Sequence, residues 1–173
     1  MKVCINAGHA SNGNPDPGAV GQTGLRESDV AYNIMGLVAQ YLQQAGYNTL
    51  QVQDDSLQLI CNQSNDFEAD LFISIHCNAA ASDQAKGTET FAYLDGSAGY
   101  KLADCIQDQI VNSMETVDRG VKTNGFYVLR YTDCPAVLVE CAFISNTDDE
   151  LLLANRQDDF ARAIARGITD YVG

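Results

Sequence analysis

Short apolar runs alternate with stretches of helical periodicity along this chain, and that alternation most restricts how it can fold. The run Leu71–Ile75 is apolar on both faces, so both faces must be covered, as happens for a central strand of a parallel sheet. Similar runs lie at 2–7 and at 136–140, the latter following Pro135. Between them, Val30, Ile34, Leu37, Val38, Tyr41, Leu42 and Ala45 recur at helical spacing, and Gly46 is a natural stop. Leu57, Ile60, Cys61 and Ser64 mark a second helix, and Leu102, Cys105, Ile106 and Ile110 a third. Residues 47–52, 88–94 and FYVLR at 126–130 read as further strands. Thr147 and Glu150 fit a capping box opening a short helix. Phe160, Ile164, Ile168 and Val172 make the last helix amphipathic, with Asp158 and Asp159 at its positive end. The expectation is one α/β domain over residues 1–173, with a mostly parallel twisted sheet of about six strands and helices on both faces.

A chain of 173 residues can bury about two thirds of its unfolded surface in a single core. No apolar stretch approaches the roughly 18 residues that span a bilayer. Met1 leads directly into the first strand, so no signal peptide is expected within this sequence. A chain made without one and a domain of a longer exported protein both fit. The net charge of −13 argues against nucleic acid and against an anionic membrane as partners. The six cysteines form no C-x-x-C pair, which disfavours a thiolate metal site or redox motif. Most of them read as small buried hydrophobes. Cys77 and Cys141 are expected to face away from whatever His76 and Glu140 line, leaving a Cys–His nucleophile pair as the alternative.

The chemistry concentrates at strand ends. There are two histidines, and each closes an apolar strand: His9 ends VCINAGH and His76 ends LFISIH. Glu140 closes AVLVE, and Glu27 follows the Gly- and Pro-rich loop SNGNPDPGAVGQTG. Ligands of open α/β sheets bind beyond the carboxyl ends of the strands, where these groups gather. Two imidazoles and a carboxylate are the ligand set of a catalytic zinc that keeps one position open. A second carboxylate nearby supplies the general base. Glu140, set among apolar residues, suits that role, because burial raises a carboxyl's pKa until it finds a proton or a partner. A buried pair with Arg130 is the structural alternative. Glu27 at a helix start, and Asn6 and Asn78 near strand ends, also have ordinary explanations as dipole and turn residues. There is no G-x-S-x-G elbow, H-E-x-x-H helix, G-x-x-x-x-G-K-[ST] loop or G-x-G-x-x-G turn. The glycines at 13, 18, 21 and 24 read as spacers that let Glu27 swing back beside His9.

The chain resembles the zinc-dependent N-acetylmuramoyl-L-alanine amidases, specifically the type-3 catalytic domain of bacterial autolysins and phage endolysins. The likeness runs nearly end to end. It rests on NAGH at 6–9, GLRESD at 24–29, DLFISIHCNA at 70–79, GTETFAY at 87–93 and RGVKTNGFYVLRYTDCPAVLVECAFISN at 119–146. The resemblance implies zinc held by His9, Glu27 and His76, with Glu140 as catalytic acid and base. It implies hydrolysis of the amide between N-acetylmuramic acid and L-alanine in peptidoglycan, at the bacterial cell wall, in the extracellular space or the periplasm. Zinc would polarise the carbonyl and bring the pKa of its water to near 7.

Two departures from the family pattern stand out. The second helix and its sequel, LQLICNQSNDFEAD, lack an arginine that family members often carry there. Only AAASDQAK separates Asn78 from Gly87, too short for the blocking helix of some relatives, so no autoinhibition is expected. The acidity sits awkwardly with an anionic wall, and a separate wall-binding module in the full protein would reconcile the two. The chain is expected to act as a monomer. The competing readings are a zinc peptidase cutting another stem-peptide amide and a non-catalytic wall-binding module.

Overall fold

The computed structural model describes residues 1–173. β1 (Lys2–Ala7) leads through a long loop to α1 (Glu27–Gln44), β2 (Asn48–Val52), α2 (Leu57–Asp66) and β3 (Leu71–Asn78). β4 (Thr88–Ala92), α3 (Ala98–Ser113), β5 (Asp118–Thr123), α4 (Tyr127–Tyr131), β6 (Ala136–Phe143), α5 (Thr147–Asn155) and α6 (Gln157–Val172) complete the chain. The six strands form one sheet in the order β2-β1-β3-β6-β4-β5. β2, β1, β3 and β6 run parallel, β4 is antiparallel to β6, and β5 is parallel to β4. The chain turns from β1 outward to β2 and then returns to place β3 on the other side of β1. That reversal is the switch point at which α/β sheets open a crevice.

Strand alternation divides the core into two layers. Val3, Ile5, Ala7, Leu71, Ile73, Ile75, Val137 and Val139 enter the larger cluster, together with apolar residues of α1, α3 and α6. Cys4, Phe72, Ala136 and Leu138 enter a smaller cluster with Ile60 and Cys61 of α2 and Val128 and Leu129 of α4. Each fully buried side chain such as Ile73 or Phe160 contributes about 1.5–3 kcal/mol. Two short helices cover the second face only in part, leaving a cleft at its open end.

The α/β reading, the mostly parallel sheet and the helices on both faces agree with this architecture, with one strand misplaced. FYVLR, expected as a strand, forms α4: Val128 and Leu129 turn into the smaller cluster while Arg130 faces solvent. A five-residue apolar run carries no period long enough to separate strand from helix. The strand that occupies the sheet is DRGVKT, an edge strand with no fully buried residue and hence no apolar signature. The cap of α5 is Asn146, whose side chain accepts from the Asp148 and Asp149 amides, one residue before the expected Thr147.

Candidate functional site

β3 and β6 are paired with His76 opposite Glu140. Their neighbours Cys77 and Cys141 go into the larger core, so the histidine and the carboxylate share the partly covered face. Both cysteines are fully enclosed, and burial pushes both thiols well above their ordinary range, which disposes of a Cys–His nucleophile pair. Beyond β1, the Gly8 amide donates to Ile75 O at 2.9 Å. The chain then turns at His9, whose φ of 66° is uncommon for a residue with a side chain. Gly8 leaves room for the site: a Cβ there would lie 2.3 Å from Cε1 of His76. Gly8→Ala is therefore expected to displace the imidazole and cost about 100-fold in the rate of whatever reaction the site performs, measured beside an unchanged circular dichroism spectrum.

Glu27 is the first residue of α1 and is 4% exposed. The preceding loop folds back on itself through a Val20–Arg26 bridge. It is anchored from α5 by the buried Glu150, which accepts from the Gln22 and Thr23 amides and the Thr23 hydroxyl. This brings the Glu27 carboxylate between the histidines, 3.0 Å from Nε2 of His9 and 2.9 Å from Nδ1 of His76. The amides of Ala19 and Cys77 donate to its two oxygens at 2.9 and 3.0 Å. A Cβ at Gly18, where φ is +68°, would sit 2.6 Å from Oε2 of Glu27, so the loop closes over the carboxylate only with glycine there.

Charges follow from this packing. Burial works against the Glu27 carboxylate, but hydrogen bonds from His76 and His9 outweigh it and hold its pKa well below the usual range. The bond to Glu27 in turn raises His9 to about 9, against its burial and with help from Asp16. Nδ1 of His9 lies 2.8 Å from Oδ2 of Asp16, whose other oxygen accepts from the Gly18 amide. Glu140 behaves oppositely: burial pushes its carboxyl up to about 7. Its Oε2 has neither solvent contact nor a hydrogen-bond partner. Arg130 does not pair with it, lying exposed with its guanidinium over the Tyr131 ring.

One nitrogen or oxygen from each of His9, Glu27 and His76 lies within 4.8 Å of the others, a spacing able to hold a metal ion. Two imidazoles and a carboxylate, with an unpartnered acid facing the same cleft, are what a hydrolytic metal site requires. The cleft encloses about 500 Å3. All four residues singled out in the sequence line it. Its floor includes Asn6 and Ser74, which are buried rather than turn residues: the Ser74 hydroxyl donates to Asn6 Oδ1 at 2.7 Å, and the Asn6 amide donates to Val52 O. Asn78 donates to the buried Glu89 of β4, which pairs with Glu140 of β6 and is held by Arg119 and Lys122. Asp16 carries no sequence signal, because a lone acid inside a Gly/Pro loop makes no pattern.

Fold and site together place a three-donor set able to hold a metal ion beside an unpartnered acid, at the edge of a mostly parallel sheet, an arrangement suited to hydrolysis. Residues 3–170 match the N-acetylmuramoyl-L-alanine amidase family, and the chain belongs to it. It is 38% identical over 177 residues to N-acetylmuramoyl-L-alanine amidase LytC of Bacillus subtilis, covering 98% of this chain and 35% of LytC. The germination-specific N-acetylmuramoyl-L-alanine amidase of the same organism is 30% identical, with 98% of this chain and 78% of that protein covered. Among solved structures, N-acetylmuramoyl-L-alanine amidase AmiC2 of Nostoc punctiforme superposes with a TM-score of 0.92 at 33% identity, covering 99% of this chain and 97% of that one. The chain thus spans about a third of the length of LytC.

Proposed function

We propose that residues 1–173 are the catalytic domain of a zinc-dependent amidase. It hydrolyses the amide between N-acetylmuramic acid and L-alanine in peptidoglycan, with His9, Glu27 and His76 holding zinc and Glu140 acting as general base and acid. The observation that carries this reading is the convergence of the three donors beside a carboxyl whose Oε2 has no partner in the protein. The chemistry zinc supplies when bound is Lewis acidity, which polarises the scissile carbonyl and lets water act as nucleophile near neutral pH. The protein's own residues do the rest. Glu27, fixed by the Ala19 and Cys77 amides, keeps its charge and sets the two imidazoles. The Glu140 carboxyl takes the proton of the attacking water and passes it to the departing alanine nitrogen. A carboxyl raised to about 7 suits both transfers, since its two protonation states lie close in free energy at neutral pH.

Asp16 orients His9 from outside the donor set, as a carboxylate on the far nitrogen of a ligating histidine does. Asp16→Asn is expected to weaken zinc binding by about 10- to 100-fold, measured by competition with a chromogenic chelator. Residues 79–86 contain no helix and leave the cleft open, which supports activity without a releasing partner. The site of action is the bacterial cell wall, reached as a monomer. A separate wall-binding module in a longer protein would bring this acidic domain to its polymer. No helix is long and apolar enough to cross a membrane. Digestion of purified peptidoglycan followed by mass spectrometry tests the reading. Stem peptides with a free L-alanine amine are expected, and cleavage confined to other amides would refute it.

A further inference from the structure

The cleft is larger than the donor set and Glu140 require. A second arm extends along α2 and α4, with Ile60, Val128 and Leu138 in its wall and Leu57 and Tyr127 at its lip. The lip is exposed apolar surface: Leu57 is 49% accessible and Tyr127 38%. Next to Tyr127, Tyr131 has its ring centroid 4.4 Å away. Apolar surface gathered at the mouth of a cleft marks a ligand contact. The Tyr127 ring is also held in place. The two residues after it are buried, and Phe126 before it stands edge-on to Phe91 at 5.3 Å. On the β2–α2 side the arm is bordered by Asp54 and Asp55, and no Lys or Arg lines the cleft anywhere.

This combination selects its ligand by charge. An acidic peptide would be repelled by the two aspartates and would find no cation. A neutral pyranose fits, because its C–H face stacks on an aromatic ring while its hydroxyls donate to carboxylates. Cations lie on the opposite flank: Arg119 and Lys122 of β5, two strands beyond Glu140, meet Glu89 of β4. We propose that the Leu57–Tyr127 arm is the sugar subsite, where the muramoyl ring stacks on Tyr127 with hydroxyls bound by Asp54 and Asp55, while the carboxylate-bearing stem peptide leaves toward Arg119 and Lys122. This rests on the amidase reading. The sugar is neutral there because its lactyl carboxyl is already tied up in the scissile amide.

The test compares two substrates, an N-acetylmuramoyl peptide and the same peptide with only a lactoyl group in place of the sugar. Tyr127→Ala is expected to lower the ratio of their kcat/KM values about tenfold, through KM for the sugar substrate, and Tyr127→Phe to restore it. Leu57→Ser on the same lip should move the ratio the same way, and serves if Tyr127→Ala does not fold. Saturation-transfer NMR with the methyl glycoside of N-acetylmuramic acid, its lactyl carboxyl capped as the methyl ester so that the sugar is neutral as in the substrate, provides a second readout. Transfer to the ring protons is expected with the unmodified protein and should be lost in Tyr127→Ala. An unchanged ratio, or no transfer to the sugar, would overturn the proposal. If the unmodified protein cleaves neither substrate, the amidase reading fails, whereas the NMR result still decides whether the arm binds sugar.

Discussion

Replacing Glu140 with Gln is expected to lower kcat by about 10²- to 10⁴-fold while leaving zinc occupancy intact. The loss follows from geometry, because Glu140 alone among the acids of the cleft has a buried carboxyl oxygen without a partner in the protein. The same substitution should stabilise the metal-free protein. Burial raises the native carboxyl from 4.5 to about 7. Below pH 4.5 the group is neutral in both folded and unfolded chains and costs nothing. As pH rises from 4.5 toward 7, the unfolded chain ionises while the native one does not, and stability is lost until the native group ionises as well. The loss amounts to about 3 kcal/mol. Glutamine never ionises, so the variant's advantage should grow over that window and level off above it. Urea unfolding at pH 5 and pH 8 after chelation would reveal this. Equal stability of the two proteins at pH 8 would mean that Glu140 is not held in an apolar setting, and its role as a tuned base would go with it.

Glu27→Ala is expected to abolish zinc retention, lowering affinity by more than the roughly 100-fold that an outer-shell change costs. The substitution removes a donor and leaves the Cys77 amide without its acceptor in a buried position. It also changes His9. In the metal-free protein the Glu27 carboxylate is the main reason His9 is raised to about 9. At pH 7 that imidazole is protonated, so metal binding must expel the proton, and affinity should fall about tenfold for each pH unit below 9. With two histidines in the chain, proton NMR can follow each ring. The high-pH titration of the metal-free protein should disappear in the variant. Metal content after dialysis, read by emission spectroscopy, checks the first effect. Retention of one zinc per chain by Glu27→Ala would remove Glu27 from the site.

How far the sequence carried this account depended on burial. Central strands announced themselves because β1, β3 and β6 are covered on both faces and must be apolar at consecutive positions. The residues that end or follow them were legible for the same reason: a histidine or glutamate after such a run has no ordinary place in a core. β5 was invisible because an edge strand with half its surface in solvent needs no apolar pattern, and the neighbouring FYVLR offered a stronger false signal. Asp16 carries no local signal, Glu150 suggests only a capping box, and Glu89 again carries no signal, for another reason. Their roles are set by contacts 7, 127 and 30 residues away, to His9, Thr23 and Arg119, which no local spacing records. The long loop before α1 looked like a set of glycine spacers, and it is one. Its clamp to α5 is a tertiary fact.

The most direct test is a zinc titration of the metal-free protein with release of L-alanine amines from peptidoglycan as the readout. The account requires cleavage to rise in proportion to added zinc and to break at one equivalent per chain, with no break in Glu27→Ala. Full cleavage in the presence of excess chelator, or an identical titration in the variant, would contradict it.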